Sequence, residues 1–309
     1  MSLYVLKFGG TSVGSAASLA QVAEIVSRGA RQHPLVVVVS AASGVTDTLA
    51  RAASALDGTG ADPDPWVAQV HARYDRLATE TLSDTSRRRY AVDLRVHTEA
   101  LRRTLAALAQ RPSPALRDAV LATGERLSVP LVAAVLREAG LDALPADAAP
   151  LIATDAQHGD ARVDQEETDR AIRQWHRGLR PGAVPVVTGF IGRAPSGAVT
   201  TLGRGGSDYT AGLIAGALRA DCLERWTDID ALYTADPRRD PTARRLRSLP
   251  MAEAVRLARQ GRLGIHARAL DPLQSGRTTV RVRPTSDPDA PGTWVVRDAP
   301  PALPIPALA

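Results

Sequence analysis

Lysine is almost missing from this chain of 309 residues. Of its 38 basic residues one is lysine, Lys7, and all the others are arginine, while asparagine does not occur. A GC-rich coding sequence explains the bias, and that makes the exception informative. Arginine and lysine are not interchangeable where a compact point charge is needed, so Lys7 is the first residue to explain. Cysteine is nearly absent too. The lone Cys222 excludes a disulfide within the chain and a cysteine-based zinc site. Aromatic residues make up only 4%. Despite a net charge of +5 and an isoelectric point near 9.9, the arginines are interspersed with acids, as in Arg87-Arg88-Arg89 followed by Asp93 and Glu99. That pattern, without interleaved aromatics, argues against a nucleic-acid partner. It suits a solvated surface and a small polyanionic ligand. No apolar run approaches the roughly 18 residues of a membrane helix, so no membrane partner is expected. MSLYVLKFGG lacks the basic-then-apolar order of a signal peptide, and the expected compartment is the cytoplasm.

What remains is ordinary for a soluble globular protein: 44% hydrophobic and 23% charged residues. The length can bury one large α/β domain or two smaller ones. The chain opens with an apolar run, Leu3 to Phe8, broken by Gly9-Gly10. A helical pattern follows, with Leu19, Val22, Ile25 and Val26 on one face. Leu35–Val39 is a continuous aliphatic run, β-branched from Val36 on, as expected of a parallel strand covered on both faces. It ends in the small-residue loop Ser40–Gly44, which leads into a helix at Thr46. This order predicts an α/β fold with a parallel sheet. Helical patterns then run from Trp66 to about Gln110, and from Pro114 to Glu138 with an interruption at Gly124. We read residues 60–140 as a helical insertion, because strand patterns resume after it. Strands are predicted at Val184–Thr188, Cys222–Trp226, Thr279–Arg283 and Thr293–Val296, with a helix near 209–219. Residues 299–309 form a proline-rich tail.

Three segments carry candidate chemistry. In Lys7–Val13, a strand ends in two glycines, so backbone N–H groups and the next helix could bind an anion beside the lysine. A tight turn alone would also explain it. In Thr200–Thr210, three glycines, two hydroxyls, Arg204 and Asp208 converge within eight residues, 201–208, at the start of a helix. Arg204 offers a bidentate fork. Asp208 could orient a lysine, help hold a magnesium-bound phosphate, or simply favour the helix start. In Trp226–Arg238, a strand runs into a polar loop at the sheet's carboxyl edge, where open α/β folds bind nucleotides. Tyr233 could cover a base or ribose, and Arg238 could meet phosphates.

Together, KFGGTSV at Lys7–Val13, VSAASGVT at Val39–Thr46, ATGERLS around Gly124-Glu125, TGFIG at Thr188–Gly192, TTLGRGGSDYT at Thr200–Thr210 and WTDIDALYTADPR at Trp226–Arg238 resemble the aspartate kinases of the amino acid kinase superfamily. The motifs occur in family order and span residues 4 to about 297. The resemblance implies a three-layer α/β fold, an open, mainly parallel eight-stranded sheet between helices, of carbamate kinase type. It implies ATP-dependent phosphorylation of a side-chain carboxylate of aspartate, with residues 1–298 as the catalytic domain. By the same resemblance, Lys7 stabilises the transferring phosphoryl group, Gly9 and Gly10 donate backbone N–H bonds to it, and Asp208 holds Lys7. Ser40, Thr46 and Ser207 line the acceptor site, Glu125 takes the substrate ammonium and Arg204 its carboxylate. Thr227, Asp228, Tyr233 and Arg238 contact ATP. Magnesium is held mainly by phosphates and water rather than by a protein site. A homodimer formed through this domain is expected.

The departures are as specific as the matches. The family's GAKVLHPRAL segment reads here Gly261–Leu270, GRLGIHARAL, with Leu263 at the position of an ATP-reaching lysine and Ala267 at that of the proline. Arg262 and Arg268 are candidate substitutes, and His266 reads as structural. Pro284-Thr285 replaces Asn-Thr, and Ala231 a glycine. The paired regulatory ACT domains of typical members do not follow in this sequence, so feedback control within the chain is not expected. Two alternatives accompany this reading: a kinase of the same fold with another carboxylate acceptor, and a non-catalytic nucleotide or amino acid binding subunit.

Overall fold

The computed structural model describes residues 2–235, 240 and 242–297. Ten strands and nine α-helices are found among them. These are β1 Tyr4–Phe8, α1 Ala16–Ala30, β2 Leu35–Val39, α2 Val45–Leu56, α3 Asp64–Thr81, α4 Asp84–Gln110, α5 Pro114–Glu138, β3 Ala143–Ala146, α6 Gln165–Arg177, β4 Val184–Thr188, β5 Ile191–Arg193, β6 Val199–Thr201, α7 Gly206–Leu218, β7 Cys222–Thr227, β8 Ser248–Pro250, α8 Met251–Arg259, α9 Ala267–Leu270, β9 Thr279–Pro284 and β10 Thr293–Val296. Eight strands form one sheet in the order β3-β4-β2-β1-β7-β9-β10-β8. Every neighbouring pair is parallel except β9 with β10. The strands β5 and β6 make a separate antiparallel hairpin.

Alternation along β2 shows why this sheet has two covered faces. Leu35, Val37 and Val39 pack into the layer built by α1 to α5, while Val36 and Val38 pack into the layer built by α6 to α9. All five are buried, as the unbroken apolar run predicts. The same alternation on β1 sends Leu6 and Phe8 to the first layer and Val5 to the second. Lys7 shares Val5's face and therefore points toward α7.

Several expectations change. The helical stretch from Trp66 to Gln110 is two helices. Ser83 caps α4 by accepting the Ser86 N–H, and its own N–H donates to Glu138 at 2.9 Å. α5 is not interrupted at Gly124. A methyl group there would lie 2.6 Å from the Ala41 side chain, so the glycine lets the helix approach the loop after β2. The helix continues through Pro130 as well. Within the 60–140 block α5 packs directly on β2, β3 and β4, while α3 and α4 complete the same layer by packing on α2 and α5. α5 has the length and mean hydropathy of a membrane helix, yet Asp118 and Glu125 are buried in it and it packs inside the molecule. The edge strand β3 and the helices α6 and α8 add to the elements that the sequence pattern predicts.

Candidate active site

Three loops meet at the carboxyl ends of β1, β2 and β4. The Ser40 N–H donates to the Phe8 carbonyl and the Ser43 N–H to the Gly10 carbonyl, which interlocks the first two. A methyl on Gly10 would meet the Ala41 carbonyl oxygen at 2.8 Å. After β4, Gly189 lies so close to Ser207 that a methyl there would reach its Cβ at 2.5 Å. Phe190 follows with φ 73°, a left-handed conformation rare for a bulky residue, held by its N–H donating to Thr210 Oγ1. The glycines of the 202–208 loop have local causes as well. Gly203 and Gly205 adopt φ 71° and 74°, and Gly205 caps α7 without a side chain. The first turn of α7 is thereby presented to the cleft, where its N–H groups favour an anion.

At the centre of the site is an ion cluster. Lys7 Nζ lies 2.6 Å from Asp208 Oδ1, and Arg225 Nε lies 2.9 Å from Asp208 Oδ2. Lys7 and Arg225 are register partners on the adjacent parallel strands β1 and β7. Burial alone would raise the Asp208 pKa, but the charges of Arg225 and Lys7 overcome it and hold the carboxyl well below its usual range. Asp208 is therefore ionised at all ordinary pH values.

Lys7 and Asp208 open into a cleft of about 490 Å³ that also contains Gly10, Ser40, Thr46, Glu125, Phe190, Arg204 and Ser207. Every residue expected at the acceptor site is thus brought together. Glu125 is 3% exposed, and its Oε2 has no hydrogen-bond partner among the described residues. Desolvation pushes its pKa up to about 8, although backbone N–H groups of Ala41 and Glu125 and the charge of Lys7 act the other way. Arg204, by contrast, is exposed at the rim. A second cleft of about 400 Å³ borders the same Gly loop through Thr11 and Ser12 and contains Thr227, Asp228 and Thr285. Ser12 and Thr285 share a 2.7 Å hydrogen bond, so Pro284-Thr285 still reaches the loop.

Some expectations are amended here. The Gly9 N–H donates to the Trp226 carbonyl at 3.2 Å, so it is already occupied. The Gly10 N–H has no acceptor among the described residues. Tyr233 lines neither cleft, and its hydroxyl donates to Asp230. Arg238 lies outside the described residues. Leu263 is buried in the second apolar layer. Arg268 donates to the Ala161 and Leu202 carbonyls and to Asp160, and it stacks on Tyr209. It is committed to the fold. His266 packs its Cβ against Gly205.

Three further residues had no sequence signal. Arg225 is one. Tyr74 on α3 accepts the Ala42 N–H at 3.2 Å and donates to the Gly124 carbonyl at 2.7 Å, tying the Ser40–Gly44 loop to α5 beside Glu125. Asp118, 1% exposed on α5, accepts from the Thr201 N–H and hydroxyl, the Gly159 N–H and His158 Nδ1. It fixes the Gly159 and Thr201 walls of the first cleft.

Residues 2–284 match the model of the amino acid kinase family, and the chain belongs to that family. It is 34% identical over 298 residues to lysine-sensitive aspartokinase 3 of Escherichia coli, covering 95% of this chain and 64% of that protein. It is 30% identical over 301 residues to aspartokinase 2 of Bacillus subtilis, covering 97% and 60%. The chain thus spans a little under two thirds of these relatives. The crystal structure of E. coli aspartokinase III in complex with aspartate and ADP superimposes with a TM-score of 0.88 at 32% identity, over 96% of this chain and 65% of that one. An isopentenyl phosphate kinase, 17% identical with a TM-score of 0.53, shares the fold alone.

Proposed function

We propose that this chain transfers the γ-phosphoryl group of ATP to the side-chain carboxylate of L-aspartate, giving 4-phospho-L-aspartate and ADP. One observation carries the reading: a single cleft holds the Lys7–Asp208 pair together with one buried acid, Glu125, and one arginine at its rim, Arg204. An amino acid with a second carboxylate has complementary groups for each. Glu125 takes the ammonium, Arg204 forks onto the α-carboxylate, and the side-chain carboxylate is left facing Lys7.

No general base is required, because a carboxylate is already a nucleophile. One of its oxygens forms a bond to the γ-phosphorus as the bond to the β–γ bridging oxygen breaks, and ADP leaves with that electron pair. The protein then contributes positioning and charge neutralisation. Lys7 meets the charge on the transferring group, the Gly10 N–H and the first turn of α7 donate to its oxygens, and Ser40, Thr46 and Ser207 confine the acceptor. Thr227 and Asp228 face the nucleotide from the second cleft, and Tyr233 and Arg238 are kept as nucleotide contacts on their motif alone, without a place in that cleft. Magnesium enters as part of the nucleotide substrate. This hard ion prefers oxygen ligands and keeps much of its water, so phosphate oxygens and water would hold it.

Trapping the acyl phosphate with hydroxylamine tests the proposal. Aspartyl hydroxamate should form with MgATP and L-aspartate. Hydroxamate from a different amino acid only would overturn the choice of acceptor, and ATP binding without hydroxamate from any acceptor would overturn catalysis.

A further inference from the structure

Lys7 does not act alone on Asp208. A lysine and an aspartate paired at 2.6 Å cancel each other's charge at any distance beyond their own contact. Such a pair by itself offers little to an incoming polyanion. Arg225 changes that sum. It takes the second carboxylate oxygen, Oδ2, leaving Oδ1 to Lys7. Two cations now share one anion, and the cluster carries a net charge of +1. The geometry is set by the sheet, since Lys7 and Arg225 lie side by side on parallel strands, about 4.8 Å apart. Both project onto the face covered by α7, where Asp208 sits in the first turn. Arg225 also lines the tight space beneath the cluster with Leu223, Ile265 and Leu270. Its Nη1 is buried and meets no partner among the described residues. A guanidinium in an apolar setting with one contact spare is held there against its own solvation cost.

We propose that Arg225 is a positioning residue for phosphoryl transfer: by anchoring Asp208 from behind, it fixes the carboxylate that orients Lys7 and gives the cluster the surplus positive charge that a triphosphate meets. This rests on the ATP-dependent reading given above, though not on the identity of the acceptor. The surplus charge discriminates between nucleotides, because ATP brings more negative charge to Lys7 than ADP does. Arg225 therefore contributes to the preference for triphosphate over diphosphate as well as to turnover.

The test uses Arg225→Gln, which keeps an N–H donor for Asp208 but removes the charge, and Arg225→Lys, which keeps the charge but loses the fork. Calorimetric titration with MgATP and with MgADP, in the absence of any acceptor, should show the ATP-over-ADP preference falling about tenfold in Arg225→Gln. In steady state its kcat should fall about 10²-fold, with the acceptor KM within about threefold of wild type. Arg225→Lys should recover the nucleotide preference but only part of kcat. A folded Arg225→Gln with unchanged preference and unchanged kcat overturns the proposal. So does a variant whose only change is a lower melting temperature. If Arg225→Gln does not fold, Arg225→Lys decides: wild-type preference with reduced kcat supports the assignment, and lost preference with the charge retained overturns it. Failure of aspartate as acceptor in wild type would refute the aspartate reading and leave the nucleotide comparison intact.

Discussion

Replacing Glu125 by glutamine should make the folded protein less sensitive to alkaline pH. The carboxyl is buried on α5, and its pKa is raised from 4.5 to about 8 by desolvation, against backbone N–H groups and Lys7. In the unfolded chain it ionises near 4.5. Between those values the folded state holds a proton that the unfolded state has released. Stability therefore falls as pH rises, by about 1.4 kcal/mol for each pH unit. The contribution is fully present below about pH 4.5 and fully lost above about pH 8. Across the whole interval the loss is about 5 kcal/mol, of which about 3 kcal/mol is incurred by pH 7. Glutamine keeps the shape and has nothing to ionise. Urea unfolding of both proteins at intervals from pH 4.5 to 8.5 isolates the term, because every other titrating group is common to both. The stability of wild type relative to Glu125→Gln should decline along that slope. Parallel curves would refute the reasoning, since they would mean that Glu125 ionises alike in both states. The same proton links to function. A bound ammonium group favours the ionised carboxyl, so acceptor affinity in wild type should rise as pH approaches 8, and Glu125→Gln should lose that rise.

Lys7→Arg should fold normally yet lose at least about 10²-fold in turnover, because a planar fork cannot replace a point charge between Asp208 and a phosphoryl group; the hydroxamate assay with a melting curve checks both halves. Gly203→Ala places a methyl group 2.4 Å from Asp160 Oδ1 at φ 71°. It should cost about 1–3 kcal/mol in urea unfolding and raise the acceptor KM. Asp118→Ala strands the Thr201 and Gly159 donors and should cost about 3 kcal/mol or more. Its effect on rate should appear in the acceptor KM rather than in nucleotide affinity.

Much of the fold and site was legible because the informative signals were local. Leu35–Val39 could be nothing but a buried strand, and the Gly loops announced their turns. The cleft residues Ser40, Thr46, Glu125, Arg204 and Ser207 could be gathered because their motifs occur in a known order. Other features depend on relations that a linear pattern does not carry. Arg225 looks like one arginine among many until β7 pairs with β1 and sets it beside Lys7. Asp118 looks like a helix-surface acid until β6 crosses beneath it. Gly124 suggests a break, yet the close approach of Ala41 is what keeps a glycine there. The strand β3, Ala-Leu-Pro-Ala, has no β-branched residue, and Pro145 is tolerated because β3 is an edge strand. Tyr233 was placed by motif, and its hydroxyl turned out to be engaged by Asp230.

The pairing of Lys7 with Arg225 also bears on how the sheet assembles. Side chains alternate between faces, so a slip of β1 by one residue would swing Lys7 out of the α7 layer and into the aliphatic packing around Leu19, Val22 and Val37. Arg225 and Asp208 would be left without their third member. Valine-rich parallel strands such as β2 have little else to distinguish one register from the next. The Lys7–Asp208–Arg225 cluster thus marks the native register of the central strand pair, and a chain that misaligns it leaves buried charges without their partners.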